Sequence, residues 1–161
     1  MVEPYNEEPV KGAPYQDEDE ERIQFHFEDT EFELLYPARL RQWIEQVIAR
    51  ESCILQTVSF IFCSDDYLYD LNVQYLSHDT LTDVITFPYL KPPHIEGDIF
   101  ISADRIRDNA GEFGVSFEQE LHRVMIHGIL HLCGYSDKTD ADKAAMTQKE
   151  DEALGVLRDL S

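Results

Sequence analysis

The stretch from Ser116 to Asp137, S-F-E-Q-E-L-H-R-V-M-I-H-G-I-L-H-L-C-G-Y-S-D, decides how the rest of the chain is read. Leu121, Val124, Met125, Ile129, Leu130 and Leu132 supply enough apolar surface for a buried helix over Phe117–Leu132. Ser116 is placed to cap that helix, and Gln119, three residues on, completes a capping box. Gly134 stops it, because a glycine just past the last periodic residue takes the left-handed conformation that turns the chain back. Within the helix His127 and His131 stand four residues apart, one turn above each other on one face, so their imidazoles can converge on a single point. The turn after Gly134 is placed to bring Asp137 round towards them.

Two imidazole nitrogens and one carboxylate oxygen are a ligand set that Zn²⁺ accepts, and three protein ligands leave a position open for water. A bound divalent cation lowers the pKa of its water to about 7 and polarises a carbonyl or phosphoryl oxygen. Histidines at this spacing also occur as satisfied core residues. In so apolar a helix, however, unpartnered imidazoles are costly, so the pair calls for a metal or for hydrogen-bond acceptors. A metal-dependent hydrolase with His127, His131 and Asp137 as ligands is the leading expectation. In an H-E-x-x-H peptidase the residue after the first histidine is the general-base glutamate; here it is Gly128, which removes that base and suggests a close approach of another backbone. Cys133, two residues after His131, reads as a small apolar packing residue and not as a ligand.

Outward from this helix the chain reads as an α+β domain. Ile23–Phe27 alternates as a half-buried strand does. Pro37–Glu51 reads as a helix with Leu40, Trp43, Ile44, Val47 and Ile48 on one face. Ile54–Cys63 is β-rich, with Val58, Phe60 and Phe62 on one side. Asp65 is expected to cap a helix through Leu76 whose Leu68, Leu71 and Tyr75 face inward. Val84–Phe87 and Asp98–Ser102 are short strands separated by the Pro92-Pro93 turn. Helices follow at Ala103–Phe113, Phe117–Leu132 and Asp140–Leu154, the last capped by Thr139 or Asp140. The expected fold is therefore a single domain with a central mixed sheet of about four strands packed against about five helices, the metal-binding helix lying near the C-terminus. Phe60, Phe62, Phe87 and Phe100 lie at strand period and read as core rather than as base-stacking platforms.

The run His127–Tyr135 resembles the signature H-G-x-L-H-L-x-G-Y-D-H of the YbeY family of metal-dependent endoribonucleases. Leu71-Asn72, Tyr75, Asp79 and Thr82-Asp83-Val84-Ile85-Thr86-Phe87-Pro88 are similar to that family's L-N-x-x-Y-R-x-x-D-x-x-T-D-V-L-S-F-P, and Gly97-Asp98-Ile99 to its G-D-I strand. The resemblance covers roughly residues 23–158 in family order. It implies a single-strand-specific endoribonuclease in ribosomal RNA maturation, including the 3′ end of the small-subunit RNA, and in ribosome quality control. It also implies one divalent ion and an RNA partner presented on ribosomal particles, with a ribosomal protein or assembly factor assisting. It places the strands of Thr86 and Asp98 beside the metal helix, Asp98 being read as an outer-shell or structural group.

Two positions depart from the family pattern. Asp137 stands where the family usually has its third histidine; a carboxylate keeps Zn²⁺ the favoured ion while making Mn²⁺, Fe²⁺ or Ni²⁺ more accessible than three imidazoles would. Leu76 stands where the family usually has an arginine able to grip a phosphate, a task leucine cannot perform. His78, Lys91, Arg105 and Arg123 are the candidates to replace it. The general acid and base stay unassigned, and no organic cofactor is expected. A hydrolase of amides or peptides, and a non-catalytic ribosome-assembly factor with a structural metal, are the alternative functions.

The formal net charge of −20 argues against capture of a polyanion by the protein's own field, which rests on lysine and arginine meeting phosphates. An RNA presented on a particle, with a cation in the cleft, suits this balance better. Part of the charge lies in residues 1–21, where Pro4, Pro9 and Pro14 alternate with acids before the run Asp17–Glu21. That segment reads as a disordered acidic tail ahead of a hydrolase domain over 22–161. Cys53, Cys63 and Cys133 form no C-x-x-C pair and fit a reducing cytoplasm. No apolar run approaches the roughly 18 residues of a membrane span, so no membrane partner is expected.

Overall fold

In the computed structural model, which describes residues 22–76 and 82–160, alternation along the strands sorts the chain onto two faces of one mixed sheet. The strands are β1 (Ile23–Glu28), β2 (Ile54–Cys63), β3 (Val84–Pro88) and β4 (His94–Ser102). Their order is β1-β2-β4-β3, with β1 and β4 parallel to β2 and β3 antiparallel to β4. The helices are α1 (Pro37–Arg50), α2 (Asp65–Leu76), α3 (Ala103–Phe113), α4 (Phe117–Leu132) and α5 (Asp140–Asp159). This is the α+β architecture expected from the sequence.

One sheet face carries Ile23, Val58, Phe60, Phe62, Ile95, Ile99 and Ile101, and α1, α4 and α5 cover it to form the main core. The five apolar residues expected on α1 are all buried there. Trp43 donates its indole N–H to the Ala153 carbonyl at 2.7 Å, which satisfies a buried polar group and ties α1 to α5. The other face is covered only in part, by α2, where Cys63, Leu68 and Ile85 form a smaller cluster with half-buried Tyr67, Leu71, Phe87 and Phe100.

Register places the elements that frame the metal helix. Thr86 pairs with Ile99 and therefore shares the α4 side of the sheet. Asp98, its neighbour on the strand, points to the opposite face and accepts from the Tyr89 hydroxyl at 2.7 Å, a structural role as expected. A Cβ at Gly97 would lie 2.6 Å from the Phe87 carbonyl oxygen and 3.0 Å from a Leu132 methyl, so this glycine lets β3, β4 and the end of α4 meet. Gly128 does admit a close neighbour, but it is the side chain of Ile99, 2.8 Å from where a Cβ would stand, and not the other backbone expected.

Tyr89 donates its amide to Glu96 and Ser102 donates to Asp83, so the odd-numbered residues of this segment bond to β4. Val84, Thr86 and Pro88 turn their backbone groups away from β4, and no strand among the described residues lies on that side of β3.

Local chemistry accounts for the ends of the helices. The Ser116 hydroxyl accepts from the Gln119 amide at 3.1 Å while the Gln119 side chain accepts from the Ser116 amide at 2.9 Å, the capping box expected. Thr139 caps α5 through the Asp142 amide. For α2 the cap is Ser64, which accepts from the Tyr67 amide, and not Asp65; the Asp65 carboxylate is taken by the Ser102 hydroxyl and the Arg105 guanidinium. Tyr75, expected to face inward, is 61% exposed and only meets Phe87 edge-on. Two elements outrun their expected bounds by several residues, β4 beginning at His94 rather than Asp98 and α5 continuing to Asp159 rather than Leu154, while β1 and β3 each run one residue further, to Glu28 and Pro88. The acidic tail, Asp79 and His78 lie outside the described residues.

Candidate metal centre

The last turns of α4 carry the two imidazoles, and the chain reversal after α4 supplies the third group. Gly134, at φ 111°, reverses the backbone, with the Tyr135 amide donating to the Leu130 carbonyl and the Gly134 amide to that of His131. This brings Asp137 over the face where His127 and His131 sit. The His127 and His131 Nε2 atoms are 3.0 Å apart, and the Asp137 Oδ2 lies 3.4 Å from the first and 3.3 Å from the second. A tetrahedral ion with bonds of about 2.0–2.1 Å separates its ligand atoms by about 3.3 Å, so the triangle has the size such an ion needs. Among the described residues this is the one group of three His, Cys, Asp or Glu side chains close enough to hold a metal.

The far sides of both rings are engaged. His127 Nδ1 lies 2.6 Å from Glu150 Oε2, and His131 Nδ1 lies 2.9 Å from the Tyr135 carbonyl oxygen. Both partners are acceptors, which favours the neutral tautomer with the proton on Nδ1 and the Nε2 lone pair turned inward in each ring. In that tautomer two lone pairs and a carboxylate meet, an arrangement that a cation resolves. Without a cation, burial disfavours the charged His127 ring, but the Glu150 hydrogen bond and charge, with Asp137 and Asp83 adding, outweigh that and raise its pKa. Side-chain exposure rises from 22% at His127 to 27% at His131 and 43% at Asp137, so the site opens towards Asp137.

Several groups behind the ligands were not visible in the sequence. Glu150 is 7% exposed and takes the Arg123 guanidinium at 2.8 Å on its second oxygen, while Arg123 also holds Asp151 at 2.7 Å. A signal existed: Glu150 falls on the buried stripe of α5 with Met146, Ala153 and Leu157, where a carboxylate is out of place unless partnered. Tyr135 donates its hydroxyl to Glu51 at 2.6 Å, and Lys149 pairs with the same carboxylate, which anchors the residue whose carbonyl holds His131. Burial raises the carboxyl pKa of both Asp83 and Glu120, each in a half-polar layer with Asn109 behind His127.

The remaining candidates sort cleanly. Arg105 is committed to Asp65 and Asp108, and Arg123 to Glu150 and Asp151, so neither is free to replace the arginine absent at Leu76. Lys91 is exposed in the loop whose Pro92 ring borders Gly134. Cys133 packs against the core as expected, and burial, with Cys53 beside it, raises its thiol pKa. All three cysteines are free thiols. No helix among the described residues is long and apolar enough to cross a membrane.

Comparison with known proteins places the chain in a family. Residues 22–158 match the family model described as Endoribonuclease YbeY. Proteins named Endoribonuclease YbeY from Flavobacterium johnsoniae and Flavobacterium psychrophilum are 50% and 51% identical to the chain, each over 84% of it and 96% of the relative. The homologous protein of Bacteroides thetaiotaomicron is 47% identical over 71% of the chain and 84% of its own length. The solution structure of TM1509 from Thermotoga maritima superposes with a TM-score of 0.59 at 30% identity, covering 83% of this chain and 88% of that one. Motifs, fold and relatives thus lead to one conclusion: the chain belongs to the YbeY endoribonuclease family.

Proposed function

We propose that the protein is a metal-dependent endoribonuclease that cleaves single-stranded RNA during ribosomal RNA maturation, with one Zn²⁺ held by His127, His131 and Asp137. The observation that carries this reading is the convergence of two imidazole nitrogens and a carboxylate oxygen, 3.0–3.4 Å apart, with the far nitrogen of each ring set against an acceptor. The ion, when bound, supplies an activated water and Lewis-acid polarisation of a phosphoryl oxygen. The protein's part is positional. His127 and His131 are fixed by the helix, Asp137 lowers the net charge of the centre, and the open side at Asp137 is where a phosphodiester enters. Exposed Lys138 follows Asp137 directly and exposed Lys91 precedes the Pro92 that borders Gly134; neither is in an ion pair among the described residues, and both fit phosphate contact.

The charge of −20 favours RNA presented on a ribosomal particle in the cytoplasm, with a ribosomal protein or assembly factor contributing affinity. Leu76, in place of a phosphate-gripping arginine, favours a second reading in which the metal is structural and the protein assists assembly without cutting. Elemental analysis of the purified protein, with His127→Ala and Asp137→Ala alongside and single-stranded RNA cleavage assayed on the same samples, separates the two. One bound ion, lost in both variants together with cleavage, is the expected result. Stoichiometric metal without cleavage selects the structural reading, and absence of metal from protein supplied with Zn²⁺ overturns both.

A further inference from the structure

The two imidazoles are held in different ways. His131 Nδ1 rests on a backbone carbonyl, that of Tyr135, which no substitution removes. His127 Nδ1 rests on a side chain, Glu150, reached from a different helix 23 residues on. A neutral imidazole has one N–H, and whichever nitrogen carries it cannot bind a metal. Were the proton on Nε2, it would point into the triangle formed with His131 and Asp137 and fill the place of an ion.

We propose that Glu150, clamped by Arg123, is the positioning residue of the metal centre: it holds the proton of His127 on Nδ1 and so keeps the Nε2 lone pair directed at the ion. The inference rests on the metal reading given above. Glu150 is suited to the task because both its oxygens are occupied, Oε2 at 2.6 Å from the ring nitrogen and Oε1 at 2.8 Å from the guanidinium. Arg123 lies one helical turn before His127 on α4, so the two donors present themselves to one carboxylate from the same face. Its other nitrogen grips Asp151, the residue after Glu150, and this two-point hold fixes the end of the Glu150 side chain. A buried carboxylate at 7% exposure is costly without such partners, and the Arg123 ion pair engages only one of its oxygens because the other guanidinium nitrogen is taken by Asp151. The short contact to His127 is the part that an interhelical ion pair does not require. Carboxylates in this position on metal-binding histidines fix the tautomer and raise ligand basicity, and losing one typically costs about 10- to 100-fold in metal affinity.

The test compares wild type with Glu150→Gln, which keeps the shape but offers an amide that can donate to or accept from the ring. Zn²⁺ affinity is measured by competition with a chromophoric chelator, and the His127 tautomer by long-range ¹H–¹⁵N correlation of the imidazole in metal-free protein. Asp151→Asn serves as the control, since it perturbs Arg123 without touching His127. The expected result is a 10- to 100-fold loss of affinity in Glu150→Gln. Protonated Nε2 should appear in its spectrum, while Asp151→Asn stays close to wild type. Glu150→Asp, which restores the charge, should recover part of the affinity. Zn²⁺ bound equally well by wild type and Glu150→Gln overturns this inference and leaves the metal site standing. Wild type that binds no Zn²⁺ overturns the metal reading itself, and this role with it. A wild-type spectrum with the His127 proton on Nε2 overturns the role of Glu150 whatever the metal does.

Discussion

The two sides of α4 obey different rules. On one side Leu121, Met125, Ile126 and Ile129 are buried against the sheet, and their identities follow from apolarity and helical period alone. On the other, Glu120, Arg123, His127 and His131 form a polar layer in which each side chain meets a specific partner: Asn109 of α3 for Glu120, Glu150 of α5 for Arg123 and His127, and the Tyr135 carbonyl after α4 for His131. His122 shows what a histidine does without such partners. It lies edge-on against Trp43, and burial lowers its pKa and keeps it neutral. The core side carries the packing against the sheet, and the polar side carries the candidate metal centre.

The sharpest way to break this contrast is to cut one residue from each side. Ile129→Ala should destabilise the protein by about 2–5 kcal/mol, read as a lower denaturation midpoint in urea. His131→Ala should cost the metal-free protein under about 1 kcal/mol. It should also abolish the stabilisation that Zn²⁺ gives wild type, about 2.7 kcal/mol at a hundredfold excess over Kd. Equal losses of metal-free stability in the two variants would end the division. Gly128→Ala comes next: its methyl would press on Ile99, so a loss of about 1–3 kcal/mol is expected. In the double variant with Ile99→Ala the two losses should fall short of their sum, and strict additivity would show that the contact is not the cause.

Ser116→Ala removes the hydroxyl half of the capping box and should cost about 1 kcal/mol with no change in Zn²⁺ affinity. The smallest effect is one of pH. Burial, then the charge of Asp83, raises the Glu120 carboxyl pKa in the folded state. Folding therefore favours the protonated form, and the stability this lends at low pH is lost as pH rises from the unfolded pKa, about 4.3, through the folded one. Glu120→Gln should melt above wild type at pH 7, with the gap closing as pH falls to about 4. A gap of constant size across that range would show that the Glu120 charge is not its source.

The same contrast explains what the sequence could reveal. The bounds of α3 and α4 and the Ser116 capping box were legible because caps and apolar periods are local. His127 and His131 were legible for the same reason, being one turn apart, and Asp137 because Gly134 signalled the reversal. Glu150 was not, since its partners lie 23 and 27 residues away and it sits in a K-E-D-E run that reads as a solvated face. The Ser64 cap was missed because the adjacent Asp65 and Asp66 are equally good capping types, and only the tertiary demands of Ser102 and Arg105 on Asp65 settle the choice. The neighbour of Gly128 is not legible because glycine signals a close approach without saying whether backbone or, as here, a side chain makes it.

The outward edge of β3 bears on how the protein behaves at high concentration. A strand whose amides face outward is a template on which another chain can extend the sheet, the first step towards aggregates. Here the template is short and incomplete. Of its three outward residues only Val84 and Thr86 have an amide to give, because Pro88 has none, and the Val84 carbonyl already receives the Thr82 hydroxyl. A proline at one end of a five-residue edge thus guards against edge-to-edge growth, and Pro88→Thr should leave the fold intact while making the protein quicker to aggregate.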